Sequence, residues 1–141
     1  MKPIGYWLNR TDQALTRHMN DMLAQFGLTR TAWQVLNVLH DTGPTTDTDV
    51  HTTLRANAGT PALTTAIDTV LTDGWATRPC PHHLALTPEG HQRLGSVAER
   101  VEAFRALATT GIPPQEYRTA VHVLQRMTHN LEGAPTGHSR P

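Results

Sequence analysis

Apolar residues recur at three- and four-residue steps over most of the chain. Ile4, Leu8, Leu15, Met19, Met22 and Phe26 form one stripe, broken near Thr11, and predict a helix from about Ile4 to Phe26. Gly27 follows where a helix-stopping glycine belongs. Thr29 caps a second predicted helix from Arg30 to about Asp41, with Leu28, Ala32, Val35, Leu36 and Leu39 on its inner face. Thr42-Gly43-Pro44 breaks the pattern. Thr46 with Asp49 three residues on resembles a capping box and starts a short third helix, whose inward residues are Val50 and Leu54. After a turn at Asn57-Ala58-Gly59, Thr60-Pro61 opens a fourth helix with proline in its first turn, where a missing N–H costs nothing. Leu63, Ile67, Val70 and Leu71 form its stripe, and Gly74 stops it.

The spacing then changes. Trp75 to Arg78 and Leu84 to Leu86 are short enough to be paired strands, joined by Pro79-Cys80-Pro81-His82-His83, whose two prolines cannot donate to a ladder. Thr87-Pro88 begins a long helix to about Thr110, with Leu94, Val97, Val101, Phe104 and Ala108 on one stripe. Gly111-Ile112-Pro113-Pro114 breaks it. A last helix to about Leu131 carries Tyr117, Ala120, Val121, Leu124, Thr128 and Leu131. Residues 132–141 contain no core former and are expected to be a disordered tail. Helix, tight ribbon, helix is the layout of a winged helix-turn-helix. The expected fold is mainly α, a winged helix-turn-helix lobe over about residues 28–86 with a small β-hairpin wing.

Composition narrows this little. The chain has 141 residues, which suits one domain, and a single cysteine, Cys80, so an internal disulfide is impossible. Twelve basic residues balance twelve acidic ones, so net charge does not announce a nucleic-acid binder. The start MKPIGYWLNRTDQ has no long apolar run, which reads as neither signal peptide nor membrane span and suggests a cytoplasmic protein.

Three pieces in order carry a resemblance. They are Phe26-Gly27-Leu28-Thr29 leading into Trp33-Gln34-Val35-Leu36, then Thr69 to Arg78 (TVLTDGWATR), then Leu84 to Gly90 (LALTPEG). Over about Gly5 to Leu131 the chain resembles the MarR family of transcriptional regulators. The resemblance implies a homodimer in which end helices, about 4–26 and 87–131, interlock. It implies that Thr60–Asp73 is a recognition helix and Arg78–Leu84 a wing. It further implies a pseudo-palindromic double-stranded DNA operator, most commonly repression, and a small aromatic effector held between dimerisation helices and the DNA-binding lobe. The chain departs from the family in its wing, which is short and lacks the Asp and Arg that longer wings carry between the strands.

On this reading the side chains facing DNA from the fourth helix are Thr60, Pro61, Ala62, Thr64, Thr65 and Asp68. Threonine can hydrogen-bond base edges or touch a thymine methyl, and alanine can do the latter. Phosphate grip needs Lys or Arg. Over Thr46–Leu86 there are two, Arg55 and Arg78, against Asp47, Asp49, Asp68 and Asp73, a formal balance of −2. Arg30 and the backbone N–H groups at the starts of the third and fourth helices are further candidates. His82 and His83 in the wing, with His51, would add positive charge on protonation and raise affinity as pH falls from about 7.5 to 6. The alternative is two exposed turn histidines without a role.

For the effector, the first two helices supply Trp7, His18, Met22, Trp33, Leu36 and His40, a mix suited to an apolar organic ligand. Plain core packing is the competing reading. No two of the nine histidines stand three or four residues apart on a helix, so no local metal pair is expected, and no cofactor. Cys80 is read as an exposed thiol without a signalling role. No phosphate loop, nucleophile elbow or paired-carboxylate spacing points to an enzyme. A dimeric module that has lost DNA binding and acts through protein contacts remains the second reading.

Overall fold

The computed structural model describes residues 1–134. Two compact units divide the chain, Met1–Phe104 and a second beginning at Arg105. The first unit contains α1 (Ile4–Ala24), α2 (Arg30–Thr42), β1 (Thr45–Thr46), α3 (Asp47–Leu54), α4 (Thr60–Thr72), β2 (Ala76–Thr77), β3 (His83–Leu86) and most of α5 (Pro88–Ala108). The second holds the end of α5 and α6 (Pro114–Gly133). Residues 132 and 133, expected in the tail, complete the last turn of α6. Ala134 caps that helix, and the rest of the expected tail, 135–141, lies outside the described residues.

The helix signals act as the pattern requires. Thr29 Oγ1 accepts from Ala32 N at 3.1 Å, and Thr46 Oγ1 accepts from Asp49 N at 3.1 Å, so α2 and α3 each begin at a threonine cap. Gly27 and Gly74 stop α1 and α4. Gly74 has φ 82°, its N–H reaches Leu71 O at 3.3 Å, and Trp75 N reaches Val70 O at 3.0 Å. This is the Schellman arrangement, which needs a left-handed residue that glycine supplies without strain.

α2 is central. It packs against α1, α3, α4 and β3. Val35, Leu36 and Leu39 from α2 meet Leu63, Ala66, Ile67 and Val70 from α4, with Val50 and Leu54 from α3 and Leu84 from β3. Leu94, Val97 and Val101 of α5 and Met22 and Leu23 of α1 extend the same core. Each large aliphatic side chain buried this way contributes about 1.5–3 kcal/mol. The inner stripe of α4 therefore fixes which way its other face points.

The small sheet has order β1-β3-β2, both pairs antiparallel. Thr45 opposes Leu84 and Thr46 opposes His83, while Ala76 opposes Leu86 and Thr77 opposes Ala85. The sequence pattern predicts only the β2–β3 pair. β1 is two residues long, too short to show alternation, and pairs only because the α3 cap brings it alongside β3. The strands also differ in extent: Trp75 and Arg78 lie outside the ladder, and His83 lies within it rather than in the turn.

Thr87 and Gly90 lock the wing to α5. Thr87 N donates to Trp75 O at 3.0 Å, Thr87 Oγ1 donates to Gly74 O at 2.8 Å, and Gly90 N donates to Thr87 Oγ1 at 2.8 Å. Any Cβ on Gly90 would overlap the Trp75 carbonyl oxygen, so only glycine lets the first turn of α5 lie on that peptide. Trp75 is fully buried, and the Arg93 guanidinium lies 3.8 Å from its ring centroid while donating to Asp73 O at 3.0 Å.

The apolar stripes of the end helices behave otherwise. Ile4, Trp7, Leu8 and Leu15 on α1 are exposed, and α6 has no buried residue. In α6, Tyr117, Val121 and Leu131 are exposed and Leu124 half-buried.

Gly90→Ala is expected to cost about 3 kcal/mol by overpacking a backbone contact that cannot relax cheaply. Thermal denaturation should show a midpoint about 10 °C lower. Gly95→Ala, on the same helix with open space around it, should be neutral or stabilising.

Candidate nucleic-acid interface

α4 presents one continuous exposed face. Leu63, Ala66, Ile67 and Val70 are buried, whereas Thr60, Pro61, Ala62, Thr64, Thr65 and Asp68 are exposed. The inner stripe decides this orientation, because turning the helix would expose the aliphatic side chains. Among the described residues no side chain caps α4, whose N-cap is Gly59, so no capping side chain takes its first backbone N–H groups.

α3 differs. Asp47 N donates to His82 O at 3.1 Å, and Asp49 N is taken by the Thr46 cap. The carboxylates of Asp47 and Asp49 stand in its first turn. Two of the first three N–H groups of α3 are thus taken and its start is acidic, which weighs against the expectation that it offers N–H groups to a phosphate.

The wing arginine is also committed. Arg78 Nη1 donates to Asp47 Oδ1 at 2.7 Å and Arg78 Nη2 to Asp47 Oδ2 at 3.0 Å, a bidentate pair. The hydrogen bond to Arg78 is the main reason the Asp47 carboxyl is held below its ordinary range, and the same bond raises Arg78 above its own. Of the two cations counted over Thr46–Leu86, one is therefore neutralised. Arg55 at the end of α3 and Arg30 at the start of α2 are exposed and, among the described residues, make no ion pair.

His82 is exposed and adopts φ 62°, a left-handed conformation uncommon outside glycine. The bond from Asp47 N to its carbonyl holds that turn. His83 lies half-buried in β3, its Nδ1 3.0 Å from Pro81 O. His51 faces neither solvent nor core fully. Its Nδ1 is 2.9 Å from Asp47 O, and its Nε2 is 3.4 Å from Thr64 Oγ1 on α4.

The residues expected to line an effector site are dispersed. Leu36 is fully enclosed in the core and Met22 nearly so; Trp33 packs partly against them. Trp7 is exposed with its ring edge-on to Tyr6. His18 stacks on Phe104 at 6.0 Å, and His40 lies 3.2 Å from Asp41 and 6.2 Å from the His91 ring. A depression of about 400 Å³ lies along the polar side of α1, lined by Asp12, Gln13, Thr16, Arg17, Asn20 and Asp21. Among the described residues no three His, Cys, Asp or Glu side chains gather to hold a metal, and no helix is long and apolar enough to cross a membrane.

No protein-family model matches the chain, and no curated protein matches its sequence. Solved structures do match. A mutant MarR of E. coli complexed with operator DNA aligns at TM-score 0.70 and 21% identity, over 89% of this chain and 93% of that one. A MarR family protein of Mycobacterium tuberculosis in complex with DNA aligns at TM-score 0.72 and 20% identity, over 90% and 98%. BpsR of Bordetella bronchiseptica, whose DNA binding is regulated by 6-hydroxynicotinic acid, aligns at TM-score 0.69 and 20% identity, over 90% and 94%. The fold is that of the MarR family.

Within the MarR fold, sequence reasoning missed two links, Asp47–Arg78 and His51–Thr64. Both join residues far apart in the chain, 31 and 13 positions, and no periodicity reports such pairs. An acid opening a helix already had a local explanation in the helix dipole, which hid its second partner.

The Asp47–Arg78 pair contributes to stability with a definite pH sign. The folded-state carboxyl is lowered, so its contribution is complete above the unfolded value of about 4 and is lost as pH falls through the folded value. Asp47→Asn should therefore be less stable than the parent at neutral pH, and the difference should shrink as pH falls below the ordinary carboxylate range of about 4. Chemical denaturation on either side of that range measures it.

Proposed function

We propose that the chain is a homodimeric, sequence-specific DNA-binding transcriptional regulator of the MarR type, acting as a repressor whose DNA affinity is modulated by a small aromatic effector. The observation that carries this reading is the exposed threonine face of α4, set on a lobe whose core fixes its direction. Side chains at the N-terminal end of such a helix reach base edges in the major groove. Two copies related by a two-fold axis would address half-sites about 34–36 Å apart on a pseudo-palindromic operator.

The homodimer is supported by the exposed apolar side chains of both end helices, Ile4, Trp7, Leu8 and Leu15 on α1 and Tyr117, Val121 and Leu131 on α6. Exposed apolar stripes on a helix of that kind mark an interface. Neighbouring structures support both partners: two bind DNA, and BpsR answers to 6-hydroxynicotinic acid. For the effector, Trp7, His18, Met22, Trp33, Leu36 and His40 remain the proposed contacts. Met22 and Leu36 are enclosed in the single chain, so they would meet a ligand only after the surrounding helices shift. An effector would act by preferring one separation of the two α4 helices over another.

A second reading, a MarR-type dimer without DNA binding, draws support from the acidic lobe and from Asp47 holding Arg78. The two readings separate on salt dependence. With Arg30 and Arg55 from each subunit on phosphates, affinity should fall with a log–log salt slope of about −4, about two-hundredfold between 50 and 200 mM. Asp47→Asn should free Arg78, tighten binding several-fold and steepen the slope by about 2. Fluorescence anisotropy on duplex DNA measures both, and sedimentation should give twice the chain mass. Absence of binding at low salt in both proteins favours the second reading, and a sedimenting single chain removes the basis of either.

A further inference from the structure

Threonine is an ambiguous reader. Its hydroxyl has one proton and two lone pairs, so it can face a donor or an acceptor on a base. In α4 that ambiguity is removed for one residue. His51, on α3, touches the recognition face from behind: its Nδ1 is 2.9 Å from the backbone carbonyl of Asp47, and its Nε2 is 3.4 Å from Thr64 Oγ1. The Asp47 carbonyl can only accept, so Nδ1 must carry the ring proton. In the neutral ring Nε2 is then a bare acceptor. The Thr64 hydroxyl is the donor to it, and its lone pairs are what remain to face outward.

We propose that His51 is a positioning residue for DNA reading, which turns the exposed Thr64 hydroxyl into an acceptor and so selects an exocyclic amino group on the facing base. This rests on the DNA-reading role of α4 proposed above. In the major groove adenine offers N6–H₂ and cytosine N4–H₂ as donors, while thymine O4 and guanine O6 are acceptors. Every base pair has one of each, so the readout is A or C against G or T on the strand that Thr64 meets. At 3.4 Å the bond is long. It steers the hydroxyl, and the discrimination should be about that of one modest hydrogen bond, roughly two- to tenfold.

None of the flanking contacts competes for this geometry. Thr65 Oγ1 is not tied to His51, and the Thr69 hydroxyl donates to the Thr65 carbonyl within the helix. Thr64 is thus the one threonine of the exposed face that a side chain on another element orients among the described residues.

The test combines selection with a tautomer measurement. A randomised duplex pool is selected with the parent protein, with Thr64→Val and with His51→Ala. The parent should enrich A or C over G and T, roughly two- to tenfold, at one position of each half-site. Thr64→Val should lose that preference at that position alone. His51→Ala should accept all four bases there while keeping the rest of the selected sequence. Long-range ¹H–¹⁵N correlation on the parent should place the His51 proton on Nδ1, a reading that depends on neither variant folding nor DNA. A proton on Nε2, a preference for G or T at the Thr64 position, or an unchanged preference in His51→Ala each overturns the inference. A pool that stays random with the parent overturns the DNA-reading role and this inference with it.

Discussion

The first turn of α5 rests on the Trp75 peptide, and the lobe depends on that contact. Gly74 ends α4 in a left-handed residue, Trp75 enters the core, and Thr87 ties both carbonyls to the next helix. Gly90 permits the approach by lacking a Cβ. One small cluster therefore fixes the end of α4, the root of the wing and the start of α5 together. Arg93 covers the buried indole and reaches Asp73, closing the same corner from outside. The DNA-reading role proposed for α4 requires a helix that does not roll or slide. This corner holds α4 at its C-terminal end while Leu63, Ala66 and Ile67 seat it along its length.

Charge is the second constraint. A lobe with few cations has little unspecific attraction for a polyanion, and here one of those cations is bound by Asp47. Asp47 joins several features: its N–H holds the His82 carbonyl, its carboxylate holds Arg78, and its own carbonyl holds His51. The residue that opens α3 thus organises the wing turn and, through His51, the face of α4. For the DNA binding proposed above, this charge balance leaves few phosphate contacts per subunit, so discrimination would rest on the fit of a small number of polar side chains.

Much of the fold was legible because its helices obey a 3.6-residue period with glycine and threonine at their ends. Leu63, Ile67 and Val70 point inward as their spacing requires, and Thr29, Thr46, Gly27 and Gly74 stand where caps and stops belong. β1 was not legible, since two threonines show no alternation and pair only through tertiary placement. The same limit applies to the site. The exposure of Thr64 and Thr65 follows from helix phase, whereas the loss of Arg78 to Asp47 depends on a β-hairpin folding back over a helix start. The apolar stripes of α1 and α6 were legible as stripes, but pattern alone could not tell whether they would be buried within one chain.

The DNA reading proposed above puts sequence discrimination in the outward threonines of α4. The most direct measurement is the affinity ratio between a selected duplex and a scrambled one, for the parent and for the double variant Thr64→Ala/Thr65→Ala. These side chains touch no core, so folding should be unaffected. The ratio should fall to near one while affinity for the scrambled duplex is unchanged. A ratio that survives the double substitution would contradict the claim and move base reading to another element.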